Sequence, residues 1–167
     1  IFCLIKVYMM NIYKLLQIIL ICELIFSIIR SFRRKWNYKL ALQQKEKTGK
    51  RLLVIGDPNN GGWSSVIGKE YDCGNVCTDL IGCKECPNQI KGNLLDVLKS
   101  FPNNSVVIFE SCVLEYVPQL NEVKREMQRV SNNDIYSARI GPTLMYLWYF
   151  PSLWTKEPQI KNWLILN

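Results

Sequence analysis

Polar residues end three short apolar runs in the middle of the chain, and their types suit the binding of a nucleotide-like ligand. A turn rich in asparagine and glycine, Gly56 to Gly62, follows the first run. Asp79 closes the second run, 23 residues after Gly56, and Glu110-Ser111 closes the third. Glycine lets a backbone approach a ligand closely, and a carboxylate about 20 residues later can accept hydrogen bonds from both ribose hydroxyls. The order and spacing predict one ligand site. Each of these residues, taken alone, could instead have only a structural role in a turn or as a cap.

The elements that must position these residues follow an alternating pattern of strands and helices. Short buried strands are predicted at 51–56, 75–79, 105–110, 134–140 and 162–166. Helical segments are predicted at 63–69, 94–99 and 118–130. The last of these is the clearest, because its apolar residues recur every three or four positions, at Leu120, Val123, Met127 and Val130. The pattern favours a Rossmann-like α/β domain with a mostly parallel sheet and helices on its faces.

An apolar segment near the N-terminus, residues 15–29, predicts a membrane-spanning helix that precedes this domain. Fifteen residues rise about 22 Å, so the helix must extend back to Asn11, with Lys14 reaching the interface, to cross a core of about 30 Å. Eleven of the fifteen are Leu, Ile or Phe, which favour insertion by about 3–6 kcal/mol, whereas Glu23 opposes it by about 2.5–3.5 kcal/mol. A buried helix and an amphipathic helix lying on the membrane surface are the alternatives.

The basic residues of the chain are concentrated just after this apolar segment. Residues 30–51 carry nine Lys or Arg against one acid, whereas residues 52–167 carry ten against twelve. The formal charge of +7 therefore belongs to a juxtamembrane cluster, and no nucleic-acid partner is expected. No small-residue cleavage site follows Ile29, which disfavours a signal peptide. By the positive-inside rule, the cluster directs the following domain to the cytoplasm.

The predicted organisation is therefore that of a single-pass membrane protein with one domain on the cytoplasmic side. A membrane-anchoring helix occupies residues 1–30, a basic juxtamembrane linker occupies 31–49, and the α/β domain occupies 50–167. The expected partners are membrane lipid and a small-molecule cofactor.

Seven cysteines and no histidine limit the chemistry that is available. Without histidine, Ser–His and Cys–His nucleophile pairs and His-ligated metal sites are excluded. Four cysteines are spaced C-x3-C-x5-C-x2-C, at Cys73, Cys77, Cys83 and Cys86. This spacing has one tight pair, whereas a structural zinc site typically has two. We therefore predict no metal and expect reduced cysteines, packed as small apolar side chains or forming a reactive pair at Cys83 and Cys86.

Five segments carry a resemblance to class I S-adenosylmethionine-dependent methyltransferases over residues 52–142. They read LLVIGDPNNGG (52–62), VCTDL (76–80), KGNLLDVL (91–98), SVVIFESCVLEYVPQL (105–120) and VKREMQRVS (123–131). The fourth and fifth are the most specific, because they look like the strand, the Val-Leu-Glu-Tyr-Val turn and the following helix of that family.

The resemblance implies S-adenosylmethionine as the cofactor and assigns each part of it to a segment. The methionine part is expected near Gly56, Asp57, Gly61 and Gly62. The ribose is expected on Asp79. The adenine is expected beside Leu80 and Leu95, flanked by Asn93, Leu94 and Asp96. Glu110 and Ser111 are expected near the reacting methyl group, and the resemblance identifies no catalytic base.

The glycine turn departs from the family pattern at two positions. Val54 stands where the family usually has an acid, and Pro58 stands where it usually has a second glycine. Pro58 also interrupts the G-x-G-x-x-G sequence that a nicotinamide dehydrogenase would need. Two functions remain: a membrane-anchored methyltransferase with an unknown acceptor, and a non-catalytic membrane-tethered binding or scaffold module with a degenerate methyltransferase fold.

Overall fold

The computed structural model describes residues 2–59 and 68–138. In chain order the elements are α1 (Phe2–Thr48), β1 (Arg51–Ile55), β2 (Val76–Asp79), β3 (Gln89–Lys91), α2 (Leu94–Lys99), β4 (Val106–Ser111), a 3-10 helix (Leu114–Tyr116), α3 (Leu120–Ser131) and β5 (Ile135–Ala138). Several predicted features lie outside the described residues, namely most of the helix at 63–69, the strand at 162–166, Gly61 and Gly62.

The five strands form one sheet in the order β3-β2-β1-β4-β5, and all neighbouring pairs are parallel. This confirms the prediction of an α/β fold with a parallel sheet. The chain steps outward from β1 to β3 and then returns to place β4 on the other side of β1. In open parallel sheets, ligands bind beyond the carboxyl ends of the strands at the point where the strand order reverses. In this sheet that point lies between β1 and β4.

The central strands are apolar over 52–55 and 106–109, because both faces of the sheet are covered there. Leu53 and Ile55 of β1 pack in a cluster with α2 and α3, whereas Leu52 and Val54 pack in a second cluster that includes α1. Side chains alternate between the two faces of a strand, so a strand buried on both faces reads as a continuous apolar run. The short runs therefore mark the middle layer of a three-layer arrangement.

The predicted amphipathic helix is confirmed in α3, which covers one face of the sheet. All four of its periodic apolar residues are buried. The helix ends where Asn132 adopts a left-handed backbone conformation, with φ of +55°, which asparagine tolerates better than most residues. The chain reverses direction at Asn132 and Asn133, and β5 begins at Ile135.

Helix α1 runs without interruption from the apolar segment through the basic segment to Thr48. Its part from Ile12 onward is long and apolar enough to cross a membrane. Its last third covers the second face of the sheet, where Tyr38 and Ala41 are buried and Tyr38 packs edge-on against Phe109. The segment expected to be a linker is thus helical, and it contributes side chains to the core of the α/β domain.

Candidate functional site

The carboxyl ends of β1 and β4 approach each other closely at Gly56. This residue has φ of +104°, and a Cβ atom placed on it would lie 3.0 Å from the carbonyl oxygen of Ser111 and 3.0 Å from Val113 Cγ2. Glycine is therefore required both by the backbone conformation and by the space. Its N–H donates to the carbonyl oxygen of Thr78 at 2.9 Å, so the first glycine of the turn also ties β1 to β2.

Asp79, at the end of β2, has a carboxylate oriented by two backbone donors. The N–H of Ile81 donates to Oδ1 at 3.2 Å, and the N–H of Asp57 donates to Oδ2 at 3.2 Å. Partial burial raises the pKa of Asp79, and the nearby charge of Asp57 acts in the same direction. Each carboxylate oxygen can accept a further hydrogen bond beyond the one backbone donor described here. Asp79 thus has the position and the acceptors that a ribose would need.

Asp57 is buried and holds two loops together. Its Oδ1 accepts from the N–H of Asn59 at 3.0 Å, and its Oδ2 accepts from the N–H of Lys84 at 3.2 Å. The amide of Asn59 also donates to the carbonyl oxygen of Lys84 at 2.6 Å. The side chain of Asp57 therefore joins the turn after β1 to the loop after β2, and its backbone N–H orients Asp79.

The residues expected around the adenine divide into an exposed set and a buried set. Leu80 is 38% exposed and Ile81 is 45% exposed, so two large apolar side chains stand open to solvent directly after Asp79. Leu94 and Leu95, in contrast, are buried in the core cluster beneath α2. Asn93 is the N-cap of α2, where its side-chain oxygen accepts from the N–H of Leu95 at 3.0 Å. The exposed surface that a base could cover is therefore formed by Leu80 and Ile81.

Glu110 is fully buried, and hydrogen bonds engage both oxygens of its carboxylate. Its Oε1 accepts from the N–H groups of Val113 at 2.7 Å and Leu114 at 3.2 Å, and its Oε2 accepts from the hydroxyl of Ser137. These donors begin the 3-10 helix and line the neighbouring strand β5. Glu110 therefore fixes the loop that follows β4, and Ser111 beside it is buried as well.

Sequence reasoning missed a cluster that joins α1 to the end of β4. Arg34 donates from Nη1 to Glu70 Oε2 at 2.7 Å and from Nη2 to the sulfur of Cys112 at 2.9 Å. The backbone of Cys112 has φ of +58°, and its sulfur lies 3.2 Å from the carbonyl oxygen of Ala138. Burial raises the pKa of Cys112 to about 12, against the opposing effect of Arg34. The thiol is therefore protonated at neutral pH and is not a nucleophile there.

The expectation of reduced cysteines after β1 and β2 is wrong. Cys73 is bonded to Cys86 and Cys77 is bonded to Cys83, with Cα–Cα distances of 5.6 Å and 6.1 Å. The loop after β2 turns back over the face of the sheet that α1 covers, which brings Cys83 and Cys86 to the two earlier cysteines. That reversal is a tertiary feature, so the linear spacing could not reveal the pairing.

The sulfurs of Cys77, Cys83 and Cys86 lie within 4.8 Å of one another, a separation compatible with a shared metal ion. A metal requires thiolates, and all three sulfurs are engaged in disulfides. The absence of a bound metal stays a prediction.

The structure brings the predicted site residues Gly56, Asp57, Asp79 and Leu80 together at the carboxyl edge of the sheet. No family model, curated protein or solved structure matches the chain. The chemistry of this edge must therefore be argued from its own geometry. A carboxylate held by backbone donors and followed by two exposed apolar side chains fits a nucleoside, with hydroxyls on the carboxylate and a flat base on the apolar surface.

Proposed function

We propose that the chain is a membrane-anchored, S-adenosylmethionine-dependent methyltransferase with a Rossmann-like domain. The observation that carries the proposal is the oriented carboxylate of Asp79 at the end of β2, one strand away from the point where the strand order reverses. The strand order also supports it, because doubly wound nucleotide-binding sheets use the same order. The sequence resemblance described above names the cofactor.

The described residues would divide the work of holding this cofactor. Asp79 would accept hydrogen bonds from the ribose hydroxyls, and Leu80 and Ile81 would pack against the adenine. Gly56 keeps the ends of β1 and β4 close enough to form one continuous edge. When bound, S-adenosylmethionine supplies a methyl group already activated by its sulfonium. The protein's contribution is then chiefly to position the acceptor and to exclude water.

Two observations favour the second candidate, a non-catalytic membrane-tethered binding or scaffold module. Glu110 is engaged in holding backbone N–H groups, and Cys112 is protonated at neutral pH. Neither group is therefore suited to remove a proton from an acceptor. The methyltransferase requires the cofactor to bind at Asp79, whereas a scaffold module does not, so binding is the first property to measure.

Asp79→Ala is expected to weaken the binding of S-adenosylmethionine by at least about tenfold, because a charged hydrogen bond contributes about 1.5–3 kcal/mol and about 1.4 kcal/mol corresponds to a factor of ten. Titration calorimetry of the full chain in detergent micelles measures this directly. Burial raises the pKa of Asp79, so this carboxylate becomes protonated at a higher pH than an exposed aspartate does. The affinity of the wild-type chain should accordingly fall as the pH is lowered through that pKa.

Asp72→Ala is the matched control, since Asp72 is exposed and precedes the same strand. The control variant should bind like wild type and unfold at the wild-type temperature. Asp79→Ala should remain folded, although it loses the two backbone hydrogen bonds that its carboxylate accepts. If titration of the wild-type chain with millimolar S-adenosylmethionine shows no binding, the cofactor assignment fails. The non-catalytic scaffold module is then the better hypothesis. If Asp79→Ala binds as tightly as wild type, the ribose assignment fails although the cofactor is right.

We also propose that α1 crosses the membrane once and that the α/β domain faces the cytoplasm. The apolar stretch supports the crossing, and the basic cluster supports the orientation. The two disulfides support the opposite orientation, because such bonds persist mainly in oxidising compartments.

The full chain is expected to stay with membranes during carbonate and high-salt washes, because apolar burial and not charge holds it there. Release by salt alone would indicate a peripheral attachment through the basic cluster. Protease added outside intact cells should leave the α/β domain intact. Its digestion from outside would reverse the orientation and agree with the disulfides.

A further inference from the structure

Helix α1 runs antiparallel to the strands of the sheet, and three contacts along it establish this direction. Near its C-terminal end, Gln44 bonds to Asp134, which immediately precedes β5. Two turns earlier, Asn37 donates to the carbonyl oxygen of Ser137, close to the end of β5. Earlier still, Arg34 contacts Cys112, just beyond the end of β4. Followed toward its N-terminus, α1 therefore leaves the domain at the carboxyl edge of the sheet.

The candidate site lies at this same edge. Ile55 of β1 pairs with Thr78 of β2 on one side and with Glu110 of β4 on the other. Asp79 and Ser111 are the next residues along those strands, so they lie at one level across the sheet. Cys112, which Arg34 contacts, follows Ser111 directly. The carboxylate assigned to the ribose and the exit point of α1 are thus at about the same height.

The side chains of α1 also show where a membrane surface would lie relative to that height. Phe32 is 70% exposed and Trp36 is 61% exposed, one helical turn apart on either side of Arg34. Tryptophan side chains prefer the headgroup region of a bilayer. Ile29, the last residue of the apolar segment, lies about 7–8 Å beyond Arg34 at 1.5 Å per residue. The headgroup layer of one leaflet is about 5–7 Å thick, so it coincides with the segment from Ile29 to Arg34.

Three exposed basic residues lie close to Arg34 on α1, namely Arg33, Lys35 and Lys39. They would attract anionic headgroups to the surface just outside the carboxyl edge of the sheet. A soluble acceptor would have to enter between the domain and this surface, whereas a lipid headgroup is already present there.

We propose that the methyl acceptor is the headgroup of a membrane lipid, presented to the carboxyl edge of the sheet from the leaflet that α1 enters. This inference rests on the proposed methyltransferase function. In the reaction, a nucleophilic nitrogen or oxygen of the headgroup forms a bond to the methyl carbon as the bond from that carbon to sulfur breaks. The electron pair of the broken bond remains on sulfur, which becomes a neutral thioether. An amine or hydroxyl nucleophile releases its proton to water, whereas a carboxylate carries no proton and becomes a neutral methyl ester.

The geometry is tested by fluorescence quenching on the full chain in vesicles of phosphatidylcholine and phosphatidylserine. With Cys3, Cys22 and Cys112 replaced by serine, one chain carries the probe at Lys91→Cys, at the carboxyl edge of the sheet, and a second chain carries it at Gln128→Cys. Gln128 is exposed near the end of α3, toward the amino edge. A lipid that carries a quencher on its headgroup should quench the probe at residue 91 several-fold more strongly. Equal quenching at the two positions would overturn the inference, whatever the chain binds.

The acceptor is tested by incubating the same full chain with S-adenosylmethionine labelled in its methyl group. Vesicles of phosphatidylethanolamine, phosphatidylserine and phosphatidylinositol offer amine, carboxylate and hydroxyl nucleophiles. Label is expected in the extracted lipid, and Asp79→Ala should reduce it at least about tenfold, as it reduces binding. A chain that binds S-adenosylmethionine but leaves the lipid unlabelled overturns the lipid acceptor alone. A chain that fails to bind it overturns the proposed function, while the quenching difference still reports the geometry.

Discussion

Glu110→Ala is expected to lower the free energy of unfolding by about 3–5 kcal/mol, because each buried donor left without an acceptor costs about 1–3 kcal/mol. The substitution would leave the N–H groups of Val113 and Leu114 and the hydroxyl of Ser137 without the carboxylate that now accepts from them. It would also open a cavity at a position with no solvent exposure. A domain of this size is typically stable by about 5–15 kcal/mol, so the loss should be visible as a large fall in thermal unfolding temperature.

Glu122→Ala is the matched control, since Glu122 is exposed in the first turn of α3, and such surface changes usually stay within about 0.5 kcal/mol. Glu110→Gln, which keeps one accepting oxygen, should fall between the two. A Glu110→Ala chain that unfolds at the wild-type temperature but binds S-adenosylmethionine weakly would contradict the structural role. That result would give Glu110 the place beside the methyl group that the sequence resemblance implies.

Strands β1, β2, β4 and β5 and helix α3 could be predicted from the sequence because their signals are local, whereas the three-residue strand β3 (Gln89–Lys91) was not predicted. A strand buried on both faces is largely apolar, and the runs at 52–55 and 106–109 leave little choice of element. The face of α3 follows from spacing alone. The same holds for the order of the site residues, since carboxyl ends of parallel strands share one edge and the turn glycine and Asp79 each end a strand.

The role of the basic segment could not be predicted, because its charges suggest a solvated juxtamembrane linker. Within that segment, Tyr38 and Ala41 bury against the sheet and Arg34 is bound to Glu70. These contacts join residues that are far apart in the sequence, and no local period marks them. The role of Glu110 could not be predicted either. A carboxylate at the end of a strand can face a ligand or accept hydrogen bonds from the loop that follows it, and the conformation of that loop decides between the two.

The apolar segment and the α/β domain are joined by one continuous helix. Because α1 continues without a break from the apolar segment into the core of the domain, the proposed membrane crossing would set the orientation of the sheet. A flexible linker would have allowed the carboxyl edge to face any direction. A chain that lacks residues 1–48 would lack the side chains of α1 that cover one face of the sheet. The binding experiments therefore require the full chain.

The two disulfides should contribute about 3 kcal/mol to stability, as expected for cross-linking a loop of about 15 residues. The outer bond joins residues separated by 13 positions and encloses the inner bond, separated by 6, so their effects are not additive. Treatment of the full chain with a dithiol reductant should therefore lower its unfolding temperature by several degrees, and Cys73→Ala/Cys86→Ala should lower it similarly. The same loop supplies the N–H of Lys84 to Asp57, so reduction should also loosen the turn that orients Asp79.

A chelator alone is the control, and it should leave the unfolding temperature unchanged because the cysteines are bonded to each other and not to a metal. Before reduction, the four cysteines of the two bonds should resist alkylation even in denaturant. Alkylation of all seven cysteines without reductant, together with destabilisation by the chelator, would show that the cysteines bind a metal through thiolates. The sulfurs of Cys77, Cys83 and Cys86 are already close enough for this. Alkylation of all seven with no effect of the chelator would show free thiols and restore the expectation from the sequence. Resistance of the four cysteines to alkylation would confirm both disulfides.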